Sequence, residues 1–158
     1  MPVIYLETFV KAAPAIVFDL SRSVDLHKSS MLHYKEEIID GVKKGLMNKG
    51  DSVTWRATHF FRSRTLKVHI TEIKAPHFFC DEMIQGDFKQ MKHEHYFETA
   101  NNGTQMIDKF HFESPFGIFG KLVNTLFLES YMCRLLKERN EEIRRAAESN
   151  RWKQFINS

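Results

Sequence analysis

The chain has 158 residues, 42% hydrophobic and 27% charged; these globular values exclude a disordered chain and fit one domain with a full core. Its net charge of +3 is too small to mark a nucleic-acid-binding surface, so no nucleic-acid partner is expected. No apolar run approaches the ~20 residues of a membrane-spanning helix, so no stable membrane insertion is expected either.

In chain order, Val3 to Lys11 has the β-branched and aromatic content of a strand. Pro14 suits the first turn of a helix, where a missing N–H costs nothing. Ala15–Leu20 and Val24–Met31 read as two short helices. From Glu36 to Ser114 the pattern becomes alternating segments broken by turn signals. The predicted strands are Glu37–Val42, Ser52–Phe61, Thr65–Lys74, His77–Gly86, Phe88–Glu98 and Gln105–Glu113. Arg62-Ser63-Arg64 reads as one separator, and Asn101-Asn102-Gly103 is the strongest hairpin signal, because Asn-Gly readily takes positive φ. Such short links force antiparallel neighbours. After Ser114-Pro115 the period changes. Phe119, Leu122, Val123, Leu126, Phe127, Tyr131, Leu135, Leu136 and Ile143 follow three- and four-residue spacings, which predicts one amphipathic helix over Phe119–Glu148. Lys137, Arg139, Arg144 and Arg145 gather toward its end, where cations suit the helix dipole. Residues 1–148 therefore read as one domain and 149–158 as a tail. The class is α+β: a six- to seven-stranded curved antiparallel sheet around one long C-terminal helix, with two short helices after the first strand.

Ala12-Ala13-Pro14-Ala15-Ile16-Val17-Phe18-Asp19-Leu20 resembles the opening helix of the START-like SRPBCC superfamily. Gly50–Ala57, Phe88–Glu98, and Ser114-Pro115-Phe116-Gly117 followed by Leu126–Arg139 resemble a bacterial subgroup of small stand-alone members. The resemblance spans the chain to about Arg145. It implies a helix-grip fold with a hydrophobic ligand cavity between sheet and long helix. It implies no single chemistry, since the superfamily includes binders, receptors, cyclases and hydratases.

Strand alternation predicts which side chains face such a cavity. The chosen face carries Trp55 and His59, then Phe79, Asp81 and Met83, then His93, His95 and Phe97, and finally Asp108, Phe110 and Phe112. Apolar walls with a few polar groups are the composition of a ligand pocket. His93-Glu94-His95 is the most chemical element, because residues two apart on a strand point the same way. A neighbouring carboxylate, Asp81 or Asp108, would orient the imidazoles. The zinc-protease spacing of two histidines four apart on a helix is absent, and neither a metal nor another cofactor is expected. Gly-rich phosphate loops and nucleophile elbows are also absent.

The expected function is binding of a small, mostly hydrophobic molecule (lipid-, quinone- or polyketide-like) without catalysis. The alternatives are a cyclase or aromatase using His93 or His95 as general acid or base, and a protein-interaction adaptor. Met1–Glu7 lacks the features of a secretory signal, and Cys80 and Cys133 form no disulfide framework, so a cytoplasmic location is expected.

Overall fold

Alternating burial along Ser52 to Glu113 gives five consecutive strands, and two more complete the sheet in a computed structural model that describes residues 2–114 and 121–156. The elements are β1 (Val3–Val10), α1 (Pro14–Ser21), α2 (Val24–Ser30), a 3-10 turn (Leu32–Tyr34), β2 (Glu37–Gly41), β3 (Ser52–His59) and β4 (Arg62–Lys74). Then follow β5 (Phe78–Gln85), β6 (Gln90–Ala100), β7 (Gly103–Glu113), α3 (Lys121–Ala147) and α4 (Trp152–Ile156). The sheet order is β1-β7-β6-β5-β4-β3-β2, with every described pair antiparallel. Register shifts between Lys67 and Val68 and between Ile70 and Glu72 of β4 help to bend it.

The two short helices have local causes. Pro14 opens α1. Ser23 caps α2 by accepting the Leu26 N–H, and Asp25 sits in its first turn. Both helices pack against α3. The core lies between them and the concave sheet face, centred on Phe18, Phe97, Met106 and Phe112, all essentially removed from solvent. Phe18 meets Phe79 and Phe97 edge-on, at centroid separations of 5.7 and 5.5 Å.

Two expectations about hairpins need correction. The β3–β4 turn is not Arg62-Ser63-Arg64, which belongs to β4; it is Phe60-Phe61, with φ of 53° and 62°. Phenylalanine disfavours positive φ, so nothing in the residue types marked this turn. The β6–β7 turn is where expected, but its positive-φ residues are Asn101 and Asn102. Gly103 is required for closeness instead: a Cβ there would lie 2.5 Å from the Val10 carbonyl oxygen.

The long helix buries Leu135, Leu136, Ile143, Ala146 and Ala147. Leu126 and Phe127, which the spacing assigned to the same stripe, are instead 69% and 60% exposed. The expected helix start at Phe119 and the Pro115-Phe116-Gly117 motif lie outside the described residues, as do the side chains of Leu122 and Val123. The stretch that sequence set apart as a tail carries α4, whose Trp152, Phe155 and Ile156 pack against the core.

Candidate functional site

A cavity of about 760 Å³ lies between the sheet and α3, within the size range of small-molecule sites. Trp55, Val68, Met91 and Phe110 line it from the sheet, and Tyr131, Met132, Leu135 and Leu136 from the helix. Phe60, Arg64, Asp87 and Phe127 form a partly exposed rim. At the rim Phe60 contacts Phe127 and Tyr131 at ring separations of 5.5 and 4.4 Å, and Arg64 Nη1 donates to Asp87 Oδ2 at 2.6 Å.

The deep end is polar. Asp81, His93 and Arg139 line it, and they join a buried cluster built by strand register. Asp81 on β5 is the partner of His93 on β6, and His95 is the partner of Asp108 on β7. The hydrogen bonds run crosswise. His93 Nε2 lies 2.7 Å from Asp108 Oδ1, and His95 Nε2 lies 2.7 Å from Asp81 Oδ2. The two imidazoles sit against each other at 3.7 Å between ring centres. From α3, Arg139 Nη2 donates to Asp108 Oδ1 at 2.8 Å, and Asn140 Nδ2 donates to Asp108 Oδ2 at 2.7 Å. Asn140 Oδ1 accepts from Arg139, so the pair is locked together.

These contacts set the charges. Burial pushes the Asp108 carboxyl up, but Arg139 and the two imidazoles together outweigh it and hold the group well below the usual carboxylate range. Burial likewise pushes Asp81 up, and the bond from His95, with His93 and Arg139 nearby, holds it low. Burial, reinforced by His95, lowers His93 to about 4, so it is neutral at pH 7. Nearer the rim, His59 Nδ1 lies 2.7 Å from the Tyr131 hydroxyl. Burial lowers His59 and raises Tyr131, so both are neutral at pH 7.

Among the residues expected to face a cavity, Trp55, His59, Asp81, His93 and Phe110 line this one. Phe79, Met83, His95, Phe97, Asp108 and Phe112 are not in its wall. His95 and Asp108 are on the expected face but lie one layer beneath, where they hold Asp81 and His93. Phe79, Phe97 and Phe112 are core residues, with Phe79 stacked on the His95 ring at 4.0 Å. Met83 is partly buried against the same core. Arg139 corrects another expectation. It lies about two turns before the helix end at Ala147, too far to serve the dipole there, and is 7% exposed and ion-paired with Asp108. Its signal was its place on the apolar stripe, three and four residues after Leu136 and Leu135 and four before Ile143.

No known family profile matches the chain, and no curated protein matches it. Solved structures do. TTHA0849 from Thermus thermophilus is 19% identical, with 94% of this chain and all of that one covered, at a TM-score of 0.72. The ginseng major latex-like protein 151 from Panax ginseng is 14% identical, covering 94% and 98%, at 0.68. Ara h 8.0201 is 13% identical, covering 90% and 97%, at 0.63. At these identities the likeness is one of fold. The chain has the helix-grip fold of START-like SRPBCC proteins, a curved seven-stranded antiparallel sheet closed by a long C-terminal helix.

Proposed function

We propose that the chain binds a small, mostly apolar molecule of lipid-, quinone- or polyketide-like character in the cavity between sheet and α3. The observation that carries this reading is the lining of the cavity. Its walls are mostly aromatic and aliphatic, and the polar groups come in a few paired sets: Asp81, His93 and Arg139 in one cluster, His27 with Glu36, His59 with Tyr131, and Arg64 with Asp87 at the rim. An apolar body would fill the wide part, and one polar end would be oriented at the cluster. No helix among the described residues is long and apolar enough to cross a membrane. Cys80 and Cys133 are free thiols, which suits the reducing cytoplasm we assign to the protein.

Binding without turnover is favoured by the state of His93. A general base works best with a pKa near the operating pH, and an imidazole lowered to about 4 is a weak base at pH 7. The cyclase reading has one observation on its side. Asp108 holds His93 by Nε2, and no described residue hydrogen-bonds the other ring nitrogen. The dyad thus resembles those that prime a histidine for proton transfer.

Native mass spectrometry of gently purified protein tests the proposal. A small organic molecule bound one per chain, released unchanged on denaturation, is the expected result. Chemical conversion of that molecule by the wild type, lost in His93→Ala with binding retained, would favour the enzyme instead.

A further inference from the structure

We propose that Asp81, His93 and His95 form a binding site for one divalent first-row transition-metal ion, of the zinc or iron(II) kind, at the deep end of the cavity. The three side chains come from adjacent strands and one sheet face. Asp81 is the cross-strand partner of His93, and His95 follows two residues on. One ligand atom from each can be chosen so that all lie within 4.8 Å of one another. An ion held at about 2.0–2.2 Å by three ligands needs separations of about 3–3.5 Å between them. The site therefore closes with side-chain adjustments of about 1 Å. Two imidazole nitrogens and one carboxylate oxygen suit zinc, iron(II) or cobalt(II), whereas calcium and magnesium call for oxygen ligands throughout.

The surroundings supply what such ligands require. A metal-bound histidine usually donates its other ring N–H to a carboxylate. Asp108 stands in that position for both imidazoles. It is 2.7 Å from His93 Nε2, which leaves Nδ1 as the ring nitrogen that would ligate an ion. It is also 3.3 Å from His95 Nδ1. That nitrogen is fully buried, with no hydrogen-bond partner among the described residues. With His95 Nε2 on an ion shared with Asp81, the ring proton moves to Nδ1 and meets Asp108, so the orphaned atom is satisfied. The charge balance points the same way. Two carboxylates, the fully buried Asp108 and the largely covered Asp81, stand near a single guanidinium, Arg139, and a bound cation would add to the positive charge facing them. Because Asp81 and His93 line the cavity, the remaining coordination positions would open into it. The site does not depend on the identity of any organic ligand.

The test uses the full chain, stripped with a chelator and titrated with Zn²⁺ by calorimetry and with Co²⁺ by visible absorption. One ion per chain is expected, with affinity falling at least ~100-fold in Asp81→Asn and in His95→Gln, beyond the 10–100-fold usual for outer-shell partners. His33→Gln, on an exposed histidine, should leave the titration unchanged. A wild-type measurement guards against misfolded variants: the melting temperature of the stripped protein should rise saturably with Zn²⁺. Binding no tighter in the wild type than in the two site variants, or a melting temperature that Zn²⁺ does not raise, would overturn the proposal.

Discussion

At the scale of the residue, Asp108 connects the sheet to the long helix. Its side chain is wholly buried and accepts from His93, Arg139 and Asn140. Removing one partner of a buried ion pair leaves the other charge uncompensated, so Asp108→Leu should cost about 3–5 kcal/mol in urea denaturation. The double variant Asp108→Leu, Arg139→Met should lose clearly less than the sum of the two single changes. Additive losses would mean that the pair is not coupled. His93 supplies a pH signature in chelator-treated protein. Its pKa is lowered from 6.5 to about 4 in the folded state, so between these values the unfolded chain binds more protons. Stability is therefore full above about pH 6.5 and falls as the pH drops toward 4, by about 3 kcal/mol from this group. His93→Gln should flatten that part of the pH–stability curve, and an unchanged slope would contradict the assignment. The phase of these residues was legible in the sequence, because alternation on β6 and β7 put His93, His95 and Asp108 on the inner face. Their depth was not. A period of two specifies a side of the sheet and leaves open whether a side chain meets the cavity or the layer below it. Arg139 was read by its nearness to a helix end, although its position between Leu136 and Ile143 already placed a charge on the buried stripe.

At the scale of the element, the two hairpin tips make opposite use of the same turn geometry. Asn101-Asn102 takes positive φ with residues that tolerate it, and Phe60-Phe61 takes it with residues that do not. Phe61 is fully exposed and has no packing to lose. Phe61→Asn should stabilise the protein by about 0.5–1 kcal/mol, read as a higher urea midpoint. A lower midpoint would mean that the Phe61 ring makes a contact of its own. This element defeated residue-type reasoning for a physical reason: a turn signal is a preference for positive φ, and here the flanking strands impose that conformation without it. The opposite error occurred on α3. The spacing that continued through Leu126 and Phe127 was helical, but Phe127 serves the cavity rim with Phe60 and is 60% exposed.

For the whole molecule, order and architecture were readable because turn spacing, the change of period after Ser114 and Pro14 at a helix start are all local signals. The cavity is not local. It exists because α3 packs on α1, α2 and β1 while leaving a space between its Phe127-to-Arg139 stretch and Trp55, Val68, Met91 and Phe110 of the sheet. Filling that space from the sheet side separates binding from folding. Ala57 is buried in the cavity wall, and a phenyl ring there would occupy room a ligand needs. The most direct measurement is a fluorescence titration of wild type and Ala57→Phe with the neutral apolar dye N-phenyl-1-naphthylamine, with folding checked by circular dichroism. A ligand cavity at this place predicts saturable binding of one dye per chain to the wild type and at least ~10-fold weaker binding to the folded variant. Equal affinity for both, or no saturable binding to the wild type, would contradict it.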